Sequence, residues 1–327
     1  MATSGSWNWG HTGTTIILAA LENLGVVEAG GSVASADSAM CLIRLQDIVK
    51  QYSGTADGSP GLKIHTRYRV NLFLAEGQQT YLIGPASSDA RSTTRYGRTT
   101  IDAAEAAGQT VISVTATTDT TTEPGTSITA TAADIIGVEQ NDGTIFWSTV
   151  ASISAGDTIT MDAGLDVAAA VGNYVWYFTS RAQRLIAVES AVLRDENRTD
   201  TPLTVYSDAR EYDQGVSDKY ADGDPRAILV EPLRITTRIT LDTQPTDVSK
   251  TIVLTGWYPG EDMDAAANDV AFPQEALRFL TWELAFDVCD GYGVTWTNSM
   301  EKKRQEARST YLNLNPETSV LYFRSAT

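Results

Sequence analysis

The chain has 327 residues, 42 % of them hydrophobic, enough for about two domains with cores of their own. Its 41 acidic residues outnumber 24 basic ones, giving a formal net charge of −17. That balance argues against ordinary nucleic-acid binding, which needs Lys and Arg to displace counterions from phosphates, and no run of about 18 apolar residues marks a membrane-spanning helix.

Residues 1–12 are mostly Gly, Ser and Thr with Trp7 and Trp9 interleaved, the composition of an arm that orders only against another surface. The opening residues lack the basic region and apolar stretch of a secretory signal. A helix is predicted from Thr14 to Leu24, with Ile17, Leu21 and Leu24 on one stripe and Gly25 as its stop. Ser35 or Asp37 then caps a second helix, which carries Leu42, Leu45, Val49 and Tyr52 on one face and ends at Gly54. The short connection predicts an antiparallel pair. From Ile64 to Leu74 the residues alternate. Ile64, Tyr68, Val70, Leu72 and Leu74 face one way, His65, Arg67, Arg69 and Asn71 the other. This predicts a half-buried strand with a basic outer face. Gln79 to Ile83 reads as a second strand, ended by Gly84-Pro85.

Thr99 to Ser180 carries ten of the acidic residues and no Lys or Arg. It is rich in Thr and Ala and broken into short alternating runs, at Thr110–Ala116, Ile135–Glu139, Thr144–Val150, Thr158–Met161 and Asn173–Phe178. Asn141-Asp142-Gly143 between two such runs is a hairpin signal, because the tight turn needs positive φ. The expectation is an inserted all-β module, a small barrel or sandwich, over residues 88–179.

Strands resume near Leu185–Leu193, Leu203–Tyr206, Ala227–Val230, Arg234–Leu241 and Thr251–Tyr258, with a short helix over Asp208–Tyr212 capped by Ser207. Pro273 opens a further helix at its first turn, with Leu277, Leu280, Leu284 and Val288 as its stripe and Gly291 as its close. Asn298 caps a last helix with Met300, Ala307 and Tyr311 on one side and Lys302, Lys303, Arg304 and Arg308 elsewhere. The predicted fold is α+β: a bundle of about four helices packed with a mainly antiparallel sheet, built from residues 13–87 and 180–312 and interrupted by the β module. A tail, residues 313–327, follows.

No constellation for catalysis stands out. His11 and His65 have no ligand or nucleophile partner at motif spacing and read as solvated surface residues. Cys41 and Cys289 sit in helical patterns without a Cys-x-x-Cys partner, so buried free thiols in a reducing cytosol are expected. No Gly-rich phosphate loop follows a strand. Carboxylates cluster at Asp218, Asp222 and Asp224 and at Glu261, Asp262 and Asp264, but without the ligand spacing of a calcium loop, so solvated turns are expected. Asn197-Arg198-Thr199 matches a glycosylation sequon that carries no weight without a secretion signal. No catalytic residue, metal or cofactor is expected, and a structural or interaction role is favoured.

Several stretches, in order, resemble the head-to-tail adaptor family of short-tailed bacteriophages, the tail tubular protein A or packaged-DNA stabilisation proteins. They are Leu18–Gly25, Ala36–Tyr52, Gln79–Pro85, Ile186–Asp195, Pro202-Leu203 with Glu211-Tyr212, Gly223-Asp224-Pro225-Arg226, and Phe272-Pro273 followed by Ala276-Leu277 and Leu284-Ala285. The resemblance covers residues 14–85 and 185–310; the β module interrupts it. It implies a virion protein assembled in the host cytoplasm into a homo-oligomeric ring, commonly of twelve copies, between the portal protein and the tail nozzle protein. Such a ring closes the DNA-filled capsid and extends the ejection channel, through which DNA passes without sequence-specific binding.

On that reading a net −17 repeated around a ring makes a negative tube that does not hold DNA. Acidic groups are expected on the lumen. Arg67, Arg69, Lys302, Lys303, Arg304 and Arg308 are expected against neighbouring subunits. Leu321, Tyr322 and Phe323, with Arg324, are nominated as portal anchors, aromatics being enriched at binding hot spots; the alternative is a tail packed on its own subunit. The β module is expected outside the ring, decorating it or supporting tail fibres, or equally stiffening contacts between subunits. Two other classes stay open: a fibre-docking or receptor-binding virion protein, and a virion-associated wall hydrolase.

Overall fold

The computed structural model describes residues 12–53, 67–85, 92–122, 126–259, 263–268 and 276–313. Pro273, His11, His65, Glu261, Asp262 and the tail from Leu314 onward lie outside the described residues. The chain is α+β and divides into two compact units, Met1–Thr66 with Pro259–Thr327, and Arg67–Tyr258.

Five α-helices occur among the described residues: α1 (Gly13–Leu24), α2 (Ser35–Ser53), α3 (Ala209–Gly215), α4 (Leu277–Val288) and α5 (Asn298–Asn313). All but α3 belong to the first unit. Helix α1 starts where the Thr12 side chain accepts the Thr15 amide and stops at Gly25, whose φ of 72° only glycine adopts freely. Its Ile16, Ile17, Ala20, Leu21 and Leu24 are buried. In α2 the buried stripe runs through Cys41, Leu45, Ile48 and Val49, turned from the predicted one so that Leu42 and Tyr52 are only half-buried. Both cysteines are buried free thiols. Helix α4 packs against α1, α2 and α5, which explains why Phe279, Leu280, Trp282, Leu284, Ala285 and Val288 are buried nearly all round it. A 3-10 turn, Asp290–Tyr292, carries the chain past the expected stop at Gly291, and Gly293 (φ 66°) closes it instead.

The second unit begins with β1 (Arg67–Phe73), β2 (Thr80–Ile83), β3 (Ser92–Thr93), β4 (Gly97–Thr100), β5 (Val111–Ser113), β6 (Thr118–Asp119), β7 (Ile128–Thr129) and β8 (Ile135–Glu139). It continues with β9 (Ile145–Ser154), β10 (Thr158–Met161), β11 (Tyr174–Phe178), β12 (Ala187–Arg194), β13 (Asp200–Tyr206), β14 (Ala227–Pro232), β15 (Thr237–Leu241) and β16 (Thr251–Trp257). Eight of these form one sheet in the order β2-β15-β14-β13-β12-β16-β1-β3. Its pairs are antiparallel apart from β13 with β14, which helix α3 connects. The cap of α3 is Asp208, whose carboxylate accepts the Arg210 amide at 2.7 Å, one residue later than the predicted Ser207.

Val70, Leu72, Ile228, Val230, Ile239, Leu241, Ile252 and Leu254 share the core of this sheet. The opposite side of β1 departs from the expectation of a basic outer face. Arg67 and Arg69 are exposed, but Asn71 and Phe73 on the same side are buried. Phe73 stacks on Phe178 (centroids 5.8 Å) and meets Tyr96 edge-on at 4.9 Å.

Strands β4-β11-β8-β9-β10-β5, in that order, form a six-stranded sheet. Its two ends meet through a bridge between Ile101 and Val114 and bonds from the Thr115 amide to Thr100 O and the Asp102 amide to Ser113 O, both 2.9 Å, so the sheet is a nearly closed barrel. Ile112, Ile136, Val138, Ile159, Met161 and Val175 fill it. Two cross-strand pairs set glycine opposite an aromatic ring, Gly97 with Tyr177 and Gly137 with Trp147. In each the ring lies over the glycine, where a Cβ would collide with it. The chain enters and leaves this sheet side by side. The Ala182 amide donates to Ser92 O at 2.9 Å, and the Thr93 hydroxyl donates to Ser180 O at 2.7 Å.

Candidate functional site

Among the described residues, many cations of this acidic protein are engaged by its own groups. Arg194 makes two bonds to Asp200, at 2.7 and 2.8 Å. That hydrogen bonding raises the guanidinium further and holds the Asp200 carboxyl below its usual range. Arg67 pairs with Glu189 at 2.8 Å, Lys250 with Asp224 at 2.7 Å, Arg238 with Glu231 at 3.4 Å and Arg44 with Asp287 at 3.7 Å; Lys219 pairs with Asp213. Others sit over aromatic faces: Arg98 over Tyr174 at 5.1 Å, Lys303 over Trp282 at 5.4 Å and Arg308 over Tyr52 at 6.0 Å.

The two basic rows named from the sequence belong to different units, Arg67 and Arg69 to the second and Lys302 to Arg308 to the first. Arg69, Lys302, Lys303 and Arg308 are exposed. Arg304 departs from that row. Its guanidinium bonds Glu283 at 2.8 Å, lies 3.8 Å over the Phe286 ring and is 17 % exposed. The partner Glu283, 5 % exposed, was not singled out in the sequence; the signal for it is a carboxylate between Trp282 and Leu284 in the apolar run of α4. Leu321, Tyr322, Phe323 and Arg324 lie outside the described residues.

The acidic groups serve structure where they are buried. Asp119 accepts the amides of Arg98 (2.8 Å), Thr121 (2.6 Å) and Thr122 (3.2 Å) and both threonine hydroxyls. Burial pushes its carboxyl up, but these bonds outweigh burial and hold it below the ordinary value. Glu139 goes the other way. Burial raises its carboxyl against the 2.8 Å bond it accepts from the Tyr174 amide, and Asp247 and Glu196 add to the rise. Of the sequence-level clusters, Asp218 accepts the Tyr220 amide at 3.1 Å and Asp224 is held by Lys250, as in solvated turns. Among the described residues no group of three His, Cys, Asp or Glu is placed to hold a metal, and no helix is long and apolar enough to cross a membrane.

A cavity of about 350 Å³ opens where the chain enters and leaves the six-stranded sheet. Thr93, Thr94 and Arg95 line one side, Phe178, Thr179 and Ser180 another, and Ser127, Ile128, Thr129 and Asp134 the rest. Asp134 is 3 % exposed. Its Oδ2 accepts the Thr131 amide at 2.7 Å, while its Oδ1 has no hydrogen-bond partner. These residues come from stretches far apart in sequence, so no local motif marks the cavity.

Compared with protein-family models the chain matches none, and comparison with curated protein sequences returns no significant match.

Proposed function

We propose that the chain is a structural head-to-tail adaptor of a short-tailed phage, not an enzyme. Copies form a ring, twelve in the form the resemblance implies, between portal and tail nozzle. The body comprises the helices as a bundle with the eight-stranded sheet, and the six-stranded barrel is an insertion carried on the outside. Acidic side chains line the DNA channel, and Arg69, Lys302, Lys303 and Arg308 face neighbouring subunits. The tail residues Leu321, Tyr322, Phe323 and Arg324 dock on the portal.

The observation that carries this reading is the engagement of cations just described. A protein of net −17, several of whose cations, Arg67, Arg194, Lys250 and Lys303 among them, are held by its own carboxylates and aromatic rings, offers little to displace counterions from DNA. A polyanion then slides past such a wall without being retained.

Native mass spectrometry and particle images of the purified protein, with and without portal, test the proposal. The expected result is a ring on the portal at twelve times the monomer mass, lost when residues 318–327 are deleted. A protein that stays monomeric beside intact portals sinks it.

A further inference from the structure

We propose that the cavity at the mouth of the six-stranded barrel binds a saccharide unit, a neutral polyhydroxylated ring. This goes beyond the adaptor reading and does not depend on ring formation.

The cavity has the character such a ligand needs. Its volume of about 350 Å³ falls in the lower part of the range of small-molecule sites, and barrel mouths are among their preferred places. Six lining residues carry hydroxyls: Thr93, Thr94, Ser127, Thr129, Thr179 and Ser180. Hydroxyls both donate and accept, as sugar hydroxyls do, so either partner can rotate to suit the other. Phe178 and Ile128 supply the apolar surface that a ring's C–H face covers.

The buried carboxylate selects the ligand further. Among the described residues Asp134 Oδ1 has no donor although the residue is 3 % exposed. Other buried atoms, Trp176 Nε1 and Glu283 Oε1 among them, are unpaired too, but Asp134 alone of these residues lines the cavity, where a ligand can supply the donor. A carboxylate oxygen accepts only, so the missing partner is a donor such as a sugar O–H or an ammonium. The hydroxyl-rich wall around it favours a neutral O–H donor over a cation. Among the described residues Asp134 is the one carboxylate on the cavity wall, and binding is the role assigned.

The test uses the full-length protein and saturation-transfer NMR with D-glucose, D-galactose and N-acetyl-D-glucosamine as probes, and methylammonium chloride as a competitor. The expected result is transfer to at least one sugar with a millimolar Kd. Asp134→Asn should weaken it by about tenfold, as loss of a charge-assisted bond implies. Thr94→Val and Ser127→Ala, both at exposed positions on the cavity wall, should weaken it several-fold and keep the assignment testable if the Asp134 variant misfolds. Three results overturn the proposal: no transfer to any of the sugars, transfer unchanged in all three variants, or displacement by methylammonium, which would mark a cation site.

Discussion

The Arg304 guanidinium and the Glu283 carboxylate meet at 2.8 Å inside the helical unit and tie α5 to α4. Helix α5 buries only Ala307 and Tyr311 among its described side chains, so this pair and the Phe286 ring beneath Arg304 do much of the work of holding it. Glu283→Ala leaves the guanidinium with only the more distant Glu301 carboxylate, at 3.6 Å, and is expected to cost about 2 kcal/mol. The double variant Glu283→Leu, Arg304→Met removes both charges and is expected to recover most of that loss. Urea unfolding of the three proteins measures the difference, and equal stability of single and double variants would contradict it.

Asp119 contributes to the acid stability of the barrel. Its folded carboxyl sits below the ordinary value of 3.8, because the bonds from Thr122, Thr121 and Arg98 outweigh burial. A depressed carboxyl stabilises the fold fully above the unfolded value and loses that contribution as pH falls through the folded one. The expected outcome is a wild-type protein that weakens steeply below about pH 4 and an Asp119→Asn variant that is less stable at neutral pH by about 2 kcal/mol but responds less to acid. Thermal melts between neutral and acidic buffers give both slopes. Parallel pH profiles would refute the assignment.

The glycine and aromatic partners across the barrel strands make a sharp steric prediction. A Cβ on Gly137 would lie 2.6 Å from the Trp147 ring, and Gly97 faces Tyr177 in the same way. Gly137→Ala therefore costs about 2 kcal/mol through overpacking, although alanine is otherwise well tolerated in place of a glycine without positive φ. Trp147→Leu in the same chain should recover part of the loss, since the ring is what the methyl meets. Circular dichroism melts suffice to read it.

Charge repulsion toward DNA is testable directly. The wild-type protein is expected not to retard duplex DNA at physiological salt. Asp102→Lys with Asp166→Lys, both at exposed positions of the barrel, is expected to create measurable binding that weakens as salt rises. Arg69→Glu and Lys302→Glu, also exposed, are expected to lower ring yield several-fold in sedimentation without moving the melting midpoint, because surface charges contribute little to a monomer's stability. Retention of DNA by the unmodified protein would count against the proposed channel.

The sequence makes visible whatever depends on neighbours along the chain. Asn141-Asp142-Gly143 predicts its hairpin, and Gly143 has a φ of 77° between β8 and β9 as the turn requires. Gly25 ends α1 for the same local reason. Strands β3, β6 and β7 have two residues each, too few for any period to show. Asn71 reads as the outer side of a half-buried strand, yet that side is covered around the neighbouring Phe73 by Trp176 and Phe178, residues about a hundred positions later. Arg304 reads as one more surface cation for an equivalent reason, and the cavity is assembled from three crossings of one barrel mouth that only closure of the sheet brings together.

The adjacency of Ser92 and Ala182 has a consequence for how such a chain is built and altered. With Ser92 and Ala182 one hydrogen bond apart, the stretch between them spans no distance along the chain, so a change in its length would leave the strands on either side in place. Removing that stretch would uncover Phe73, which stacks on its Phe178, so a stable shortened chain needs a polar residue there.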